Sequence, residues 1–390
     1  MADNPAKNRL INLFTEFGES EKASGIILII CTLLSIAIAN SYFGKGYLDF
    51  WHAGILHLSL QHWINDGLMA IFFLLIGLEI ERELYVGELS NPRNTSLPIA
   101  AALGGMAVPA LLHFLFNRGT ATVDGAGIPM ATDIAFALGV LALLGSKIPV
   151  ALKIFLTALA IIDDLGAIVV IALFYVSDFS LLYFALALGM FAVLLVLNRC
   201  NVNRLSAYLI PGGVMWCFML MSGVHATIAG VLLAFAIPFR GGDYHSPSYK
   251  LQHFLHKPVA FIIMPLFALA NTGIALSGNW VQELANPNSL GIFAGLSAGK
   301  PLGIVLFSYL AVKLGLSRLP NDVTWRHVIG VGFLGGIGFT MSIFITLLAF
   351  DNTEIIESSK LSILLTSVLA GTIGYLILKR QAGSTSNGSV

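Results

Sequence analysis

An apolar run over residues 150–175 carries two adjacent aspartates, Asp163 and Asp164, near its middle. The run is long enough to cross a bilayer, since a membrane-spanning helix needs about 20 residues. A carboxylate at membrane depth costs about 2.5–3.5 kcal/mol on insertion scales, so a pair of them indicates a function. Desolvation disfavours the anion of a buried acid, and such a group can exchange a proton for a small cation. The run therefore predicts proton and cation handling inside a membrane.

The composition agrees with a membrane protein. Hydrophobic residues make up 57% of the chain and charged residues 11%, against about 25% charged in soluble domains. The formal net charge is zero, so no nucleic-acid partner is expected. Cys31, Cys200 and Cys217 are scattered, without metal spacing or a disulfide framework. We expect no cofactor and no enzymatic activity, and the polar start of the chain is unlike a cleaved signal peptide.

Apolar runs between polar breaks predict an all-α polytopic membrane protein with about twelve transmembrane helices. Residues 1–380 are predicted to form one transporter domain, and the Ser/Gly/Asn-rich residues 381–390 a disordered cytoplasmic tail. The predicted spans, numbered 1 to 12, are 24–40, 63–80, 96–116, 126–145, 150–175, 181–198, 205–221, 223–239, 258–276, 289–312, 328–350 and 360–378.

The basic residues of the loops predict the orientation of the chain. With the amino terminus in the cytoplasm, seventeen Lys and Arg residues fall on the inside and three on the outside, and Lys300 lies within a span. That asymmetry is what the positive-inside rule predicts, with both termini in the cytoplasm. The outside residues are Lys45, Arg118 and Lys360.

Three spans are interrupted where a lipid-facing helix would be continuous. Span 4 contains IPMATD (128–133), span 10 contains GKP (299–301), and span 11 has five glycines before FTMS (339–342). Broken helices at membrane depth are tolerated only where they are buried or line a cavity. Paired interrupted spans indicate inverted repeats with a site near the midplane, which makes spans 4 and 11 the expected crossing pair. Asp133 and Lys300 could neutralise the partial charges of the half-helix ends.

Asp164 and Asp163 are the candidate cation and proton site. Neighbouring helix positions diverge by about 100°, so the two carboxylates need not act alike. We expect Asp164 to be the direct ligand and Asp163 its partner and second proton carrier. The structural alternative is an ion pair, such as Asp163 with Lys300, that holds two helices together.

The other polar residues of the interrupted spans allow more than one role. Lys300 could pair permanently with Asp163, compensate the carbonyl end of a half-helix, or release a proton when a cation arrives. Asp133 is expected to give electrostatic support to the broken span rather than to bind the ion. The hydroxyl of Thr132 could bind a hard cation or cap a helix break.

Histidines and glutamates near the membrane surface could respond to pH. His225, in SGVHAT (222–227), stands at the start of span 8, where a boundary residue is an equal alternative. The other histidines are expected to be mostly interfacial. Acidic residues after span 2, Glu79 and Glu83 among them, face basic residues before span 9, including His253 and His256. Together these charges could form a cation-gathering, pH-sensitive funnel.

Several motifs together resemble the NhaA family of bacterial sodium/proton antiporters. They are ATDIAF (131–136), AIIDDLGAI (160–168), SGVHAT (222–227), GKPLG (299–303) and GIGFTMS (336–342), within a region from about residue 63 to 378. The resemblance implies a Na+ or Li+ site at Asp164 and Asp163, between unwound segments of spans 4 and 11. It further implies electrogenic exchange with protons in excess, activation at alkaline pH, and sodium and pH homeostasis at the bacterial inner membrane.

The sequence departs from the family pattern in two places. Gln252 stands where an acidic residue is expected, and Tyr249 where a base is expected, which affects the predicted pH profile. The loop between spans 1 and 2 forms a dimerising hairpin in the family and looks short here, although LHLSLQ (56–61) alternates like a strand. The resemblance also implies a homodimer, which would form through this hairpin.

Other membrane proteins place acids at this depth. An intramembrane aspartyl protease needs its two acids in Tyr-Asp and Gly-x-Gly-Asp contexts, and neither context occurs here. A passive channel favours rings of carbonyls or acids from repeated subunits. A proton-coupled transporter of another cation or of a small organic solute is the remaining alternative, but no arginine lies within a span to bind a carboxylate.

Overall fold

The structure is a computed structural model that describes residues 5–55, 57–90, 92–176, 178–275, 280–320 and 322–384. The described chain is almost wholly helical, as predicted. Its β-structure is a hairpin between spans 1 and 2, in which Gly54 pairs with Ser59 and Ile55 with Leu58. The strand-like pattern at 56–61 therefore corresponds to one arm of this hairpin, followed directly by a helix.

The helices correspond closely to the predicted spans, and we keep the span numbers for them. In order from span 1 to span 12 they are Pro5–Ala39, Leu60–Tyr85, Pro92–Asn117, Val123–Ala142, Val150–Phe174, Leu181–Arg199, Ser206–Met221, Ile228–Ala236, Pro247–Asn271, Pro287–Lys313, Trp325–Gly335 with Phe339–Ala349, and Thr353–Ser384.

Shorter elements connect or modify these helices. The connecting elements are the helices Gly44–His52 and Trp280–Glu283, the 3-10 turns Glu88–Ser90, Gly145–Lys147 and Arg240–Gly242, and the strands Gly54–Ile55 and Leu58–Ser59. Within spans 2, 9 and 10 lie the π-helical turns Trp63–Leu68, Val259–Ile263 and Gly295–Gly299, and span 4 begins with the 3-10 helix Val123–Met130.

Most of these helices are long enough to cross a membrane. Within the described residues, nine are sufficiently long and apolar, or ten when the two halves of span 11 count as one. Spans 7 and 8 are shorter, since Ser206–Met221 has 16 residues and Ile228–Ala236 has 9. That all twelve segments cross the bilayer remains a prediction.

Spans 1, 9 and 12 are longer than predicted, and span 1 begins at Pro5 instead of near residue 24. Span 9 begins at Pro247, because the Ser246 side chain caps its first turn by accepting the Tyr249 N–H at 3.2 Å. The polar residues after this cap resemble a loop in sequence but are helical. Span 12 continues to Ser384, so residues 381–384 of the predicted tail are helical, and residues 385–390 lie outside the described part.

Burial of charge differs from the prediction at two further positions. Lys360 was assigned to an outer loop, but it lies inside span 12 with only 7% of its surface exposed. Glu81, near the end of span 2, is 5% exposed and accepts a hydrogen bond from the hydroxyl of Ser248 at 3.3 Å. Asp133, Asp163, Asp164 and Lys300 are therefore not the only buried charged residues.

The helices form two packed groups. Spans 3, 4, 5, 10, 11 and 12 pack on one another and make up the site bundle. Spans 2, 6, 7, 8 and 9 form the second bundle, and span 1 joins the two by packing on the second half of span 4 and on span 9. Within the site bundle, spans 3, 4 and 5 are consecutive in the chain, as are spans 10, 11 and 12, and the middle span of each set, span 4 or span 11, is the broken one.

Glycines allow a close helix contact in the site bundle. Gly104 of span 3 and Gly303 of span 10 face each other, and a Cβ atom on either would overlap the carbonyl oxygen of the other. Gly105 lies beside them, where an added Cβ would be 3.8 Å from the Cε atom of Lys300. The spacing of spans 3 and 10 therefore helps to fix where Lys300 lies.

Candidate functional site

The breaks of spans 4 and 11 cross inside the site bundle. Span 4 runs as a 3-10 helix to Met130 and resumes as an α-helix at Ile134. Span 11 breaks between Gly335 and Phe339 with a bend of 45°. The backbone N–H of Asp133 donates to the carbonyl of Ile337 at 2.7 Å, so the two breaks are joined directly.

Asp133 caps two half-helices at this crossing. Its Oδ1 accepts the N–H of Phe136 at 2.9 Å, at the start of the second half of span 4. Its Oδ2 accepts the N–H of Thr340 at 3.2 Å and also the Thr340 hydroxyl, at the start of the second half of span 11. A carboxylate is stabilising where helix N-termini carry partial positive charge. This geometry suits the supporting role that the sequence predicts for Asp133.

Lys300 and Thr132 lie at the opposite half-helix ends. The Nζ of Lys300 donates to the carbonyl of Met130, where the first half of span 4 ends. The Thr132 hydroxyl lies 2.9 Å from the carbonyl of Gly335, where the first half of span 11 ends. Carbonyl ends carry partial negative charge, so the ammonium compensates one of them.

Asp163 is the meeting point of these groups. Its Oδ2 lies 2.9 Å from the Nζ of Lys300 and 2.8 Å from the Thr132 hydroxyl. Asp163, Lys300 and Thr132 are each at most 1% exposed. The ion pair that the sequence left as one alternative is therefore present, and Lys300 also contacts the carbonyl end of a half-helix.

Asp164 differs from its neighbour. It is 1% exposed, and neither of its carboxylate oxygens has a hydrogen-bond partner among the described residues. The Oδ1 of Asp163 is likewise buried without a partner there. Buried polar atoms in folded proteins are nearly always hydrogen-bonded, so three such oxygens at one place require an explanation. Protonation or a bound cation would provide it.

The remaining predicted residues lie outside the crossing. His225 is in the turn between spans 7 and 8, where it interacts with the charge of Asp66 and with the backbone of Tyr175. Its Nε2 is buried without a hydrogen-bond partner among the described residues.

The predicted funnel of charges brings spans 2 and 9 together. The Oε1 of Glu79 lies 4.0 Å from the Nδ1 of His256, and Glu79 is near enough to Asp164 for their charges to interact. His253 stacks on the ring of Tyr249 with 4.6 Å between ring centroids. Glu83 interacts electrostatically with Glu79. The structure therefore links one of the predicted histidines, His256, to an acid near the site.

Sequence reasoning missed the backbone groups of the site and a second buried polar cluster. The carbonyls of Met130 and Gly335 have no signature in side-chain chemistry, apart from the Pro and Gly that break the helices. His113 was expected at an interface, but it is fully buried and its Nε2 lies 3.0 Å from the Oδ1 of Asn288, joining spans 3 and 10. The available signal was that two polar residues, His113 and Asn117, stand four positions apart and so lie on one face of the helix.

Comparison with known proteins gives a consistent result. The sequence profile of the family described as Na+/H+ antiporter 1 matches residues 15–378. The chain is 62% identical over 382 residues to the Na+/H+ antiporter NhaA of Dechloromonas aromatica, covering 97% of this chain and 98% of that protein. It is 49% identical over 372 residues to NhaA of Vibrio cholerae, covering 94% and 97% of the two chains.

A comparison with a solved structure supports the fold alone. The sodium/proton antiporter MjNhaP1 from Methanocaldococcus jannaschii aligns with a TM-score of 0.54 over 96% of this chain and 99% of its own. The two sequences are only 14% identical, so the similarity bears on architecture and not on individual site residues.

Proposed function

This chain belongs to the Na+/H+ antiporter 1 family, and we propose that its two ions compete for the carboxylates of Asp164 and Asp163. It is a multi-pass membrane protein whose activity is Na+/H+ exchange. Its relatives are Na+/H+ antiporters, and we infer that this chain is likewise a transporter and not an enzyme. The proposal concerns which residues bind the ions, how many charges move, and in which direction.

One observation carries the assignment of the site. Both oxygens of Asp164 and one of Asp163 are buried and lack partners among the described residues. Taking an unpaired carboxylate out of water is costly, so Asp164 needs either a proton or a cation. Na+ and Li+ are hard cations that prefer oxygen ligands. Because a proton and a cation satisfy the same oxygens, binding of one displaces the other.

The sequence predicts Asp163 as the second proton carrier, but its Oδ2 is paired with Lys300, and we therefore propose that Lys300 supplies the second proton. In the proton-loaded form, one proton is on Asp164 and one on Lys300, whose ammonium pairs with Asp163 at 2.9 Å. Binding of one Na+ between the two carboxylates releases both protons, because Na+ replaces the ammonium as the counter-charge of Asp163. The proton-loaded site is then neutral and the Na+-loaded site carries one negative charge. Two protons move one way for each Na+ moved the other way, so exchange is electrogenic.

Charge distribution supports an orientation with both termini in the cytoplasm of a bacterial inner membrane. The seventeen-to-three division of basic residues favours it. The packing of the helices is compatible with this orientation, because three segments assigned to the cytoplasmic side line one cleft. These segments lie near Leu89, Ala151 and Arg318. In that orientation the inside-negative membrane potential draws protons inward and drives Na+ or Li+ out, contributing to sodium and pH homeostasis.

The contact between Glu79 and His256 supports a response to pH at the cytoplasmic face, which we propose raises activity in alkaline conditions. Gln252 and Tyr249 replace charged residues on the same segment, so the profile is expected to differ from that of relatives with charges there. The hairpin of Gly54–Ile55 and Leu58–Ser59 is a surface on which a second copy could pair, in support of a homodimer.

The test is exchange by purified protein in liposomes with an imposed pH gradient. Addition of Na+ or Li+ should dissipate the gradient, and K+ should not. Detergent-solubilised protein in unbuffered solution should also release protons when Na+ is added. Dissipation by K+ alone, or binding of Na+ without proton release, would contradict competition at one site.

A further inference from the structure

A cleft of about 720 Å³ opens at one end of the site bundle, at the ends of spans 3, 5 and 10. Its walls come from the first turns of spans 3 and 5 and from the loop between spans 10 and 11. The residues that carry the argument are Leu97, Phe155, Ala151, Ser317, Arg318 and Leu319. The ion-binding crossing does not contribute to this cleft: no residue of the crossing is among its described lining residues.

The inner part of the cleft is apolar and its rim is basic. Leu97 and Phe155 are each 3% exposed and form part of the floor together with Leu319. Arg318 is exposed at the rim, and among the described residues it has no ion-pair partner. No aspartate or glutamate is among the described residues that line the cleft. The lining therefore combines an apolar pocket with an uncompensated positive charge.

Ser317 adds a polar group that lacks a partner. Its side chain is 6% exposed, and its hydroxyl is buried without a hydrogen-bond partner among the described residues. Because buried hydroxyls are normally hydrogen-bonded, this atom indicates a missing acceptor or donor. It stands next to Arg318 in the chain and lines the same cleft.

Two helix N-termini reinforce the positive potential. Span 5 begins at Val150, and Ala151 in its first turn lines the cleft, as does Thr95 in the first turn of span 3. Helix N-termini carry partial positive charge. With Arg318 and Ser317, they favour an anion at the rim. The apolar floor favours a hydrocarbon below it.

We infer that the cleft binds one anionic phospholipid, with its phosphate at Arg318 and Ser317 and an acyl chain along Leu97, Phe155 and Leu319. A basic pocket between membrane helices is a recognised setting for anionic headgroups. Free phosphate would match the rim but would leave the apolar floor unfilled, which is why the occupant is a lipid. Only the leaflet, the cytoplasmic one, rests on the proposed orientation.

A lipid in this position would connect elements that carry the crossing. The loop 315–320 leads into the first half of span 11, and spans 3 and 5 hold Gly104 and the aspartate pair. The bound lipid therefore stabilises the site bundle at the end where these helices begin. Its expected effect is on thermal stability, with exchange itself unchanged in mechanism.

The test uses full-length protein delipidated in a mild detergent. Added phosphatidylglycerol should raise the unfolding temperature in a saturable way, whereas phosphatidylcholine with the same acyl chains should not. Arg318→Gln should raise the half-effective phosphatidylglycerol concentration by about tenfold or more. This is the loss of affinity expected when a hydrogen bond to a charged group is removed. Ser317→Ala should weaken it less, and Ala151→Trp, which fills the cleft and keeps the charge, should abolish the shift.

Lys313→Gln is the matched control. The substitution removes the same positive charge, and Lys313 is exposed and is not among the residues that line the cleft. It should respond to phosphatidylglycerol like the unsubstituted protein. An equal response of Arg318→Gln and Lys313→Gln would overturn the site. A shift with phosphatidylcholine would mean a non-specific apolar groove, and the same shift with glycerol 3-phosphate or inorganic phosphate would mean a soluble anion. Because the assay measures neither Na+ binding nor orientation, its failure is distinct from failure of the proposed exchange site.

Discussion

The carboxylate of Asp133 accepts the backbone N–H of Thr340 at 3.2 Å across the crossing of spans 4 and 11, between residues 207 positions apart in the chain. The same carboxylate accepts the N–H of Phe136 at 2.9 Å. Each of these donors is in the first turn of a half-helix, where the backbone N–H groups have no partner within the helix. One side chain therefore completes two helix ends, on different spans.

Replacing Asp133 with Asn should slow exchange without abolishing it. The carboxamide oxygen can still accept a hydrogen bond, but the charge that compensates two helix N-termini is lost. Hydrogen bonds to a charged group contribute roughly 1.5–3 kcal/mol, so a lower unfolding temperature is also expected. Initial rates of Na+-driven exchange in liposomes and thermal unfolding in detergent measure the two effects. Complete inactivity of a folded Asp133→Asn protein would instead make Asp133 an ion ligand.

Replacing Asp164 with Asn should abolish exchange and Na+-induced proton release while the protein stays folded. Asn keeps the volume of Asp but neither takes up a proton nor compensates a cation. Asp124→Asn is the matched control, because Asp124 is an exposed acid on the first half of span 4, away from the crossing. It should exchange normally. Retained exchange in Asp164→Asn, measured at saturating Na+, would remove Asp164 from the site.

Lys300→Arg separates the two roles of the lysine. Arginine preserves the positive partner of Asp163, but its guanidinium stays protonated and so cannot release the second proton. If the variant folds and exchanges, it should move one proton per Na+ and lose its dependence on voltage. A potassium gradient with valinomycin sets the membrane potential of the liposomes. Moving one elementary charge across that potential changes the free energy by about 2.3 kcal/mol per 100 mV.

The unsubstituted protein is the reference for that measurement. Its exchange should accelerate when the potential draws protons inward, since one net charge moves per cycle. A voltage-independent rate in the unsubstituted protein would mean one-for-one exchange, with Lys300 locked to Asp163. Voltage dependence that survives in Lys300→Arg would place the second proton on Asp163.

Gly104→Ala should destabilise the site bundle and weaken exchange. The added methyl group would overlap the carbonyl oxygen of Gly303, so spans 3 and 10 must separate. Overpacking of this kind costs about 1–3 kcal/mol. Gly213→Ala, on span 7, is the control, because its Cβ would meet nothing within 4 Å. An unfolding temperature that falls equally in both variants would show that the Gly104 contact is not special.

The acids of the candidate site could be predicted from the sequence because of where they lie. Asp163 and Asp164 are costly in an apolar run, and Asp133 and Lys300 stand at Pro and Gly breaks in other runs. Each of these signals is local. That they meet in one place followed from the expected crossing of spans 4 and 11, and the ion pair of Asp163 with Lys300 was one of the alternatives considered.

The partners of each group were less predictable because they come from distant segments. Nothing near Asp163 indicates that Thr132 donates to it, or that Asp164 next to it remains without a partner. Lys360 and His113 are buried by contacts with other spans, which local hydropathy does not report. The start of span 9 was missed for the opposite reason, because its first turns are polar although Ser246 caps a helix there.

The shared capping by Asp133 restricts how the ion can change sides. If one broken helix bent alone, backbone N–H groups of the other would lose their hydrogen bonds to Asp133. The crossing is therefore expected to move as one rigid unit together with the bound ion. The boundary between the two bundles is held differently near the site, where Phe344 meets the rings of Phe73 and Phe267 at centroid distances of 5.5 and 6.3 Å. Aromatic surfaces can slide without leaving polar atoms unsatisfied. We therefore expect access to the two sides of the membrane to alternate by sliding of the two bundles along this aromatic contact, while the hydrogen-bonded crossing keeps its geometry.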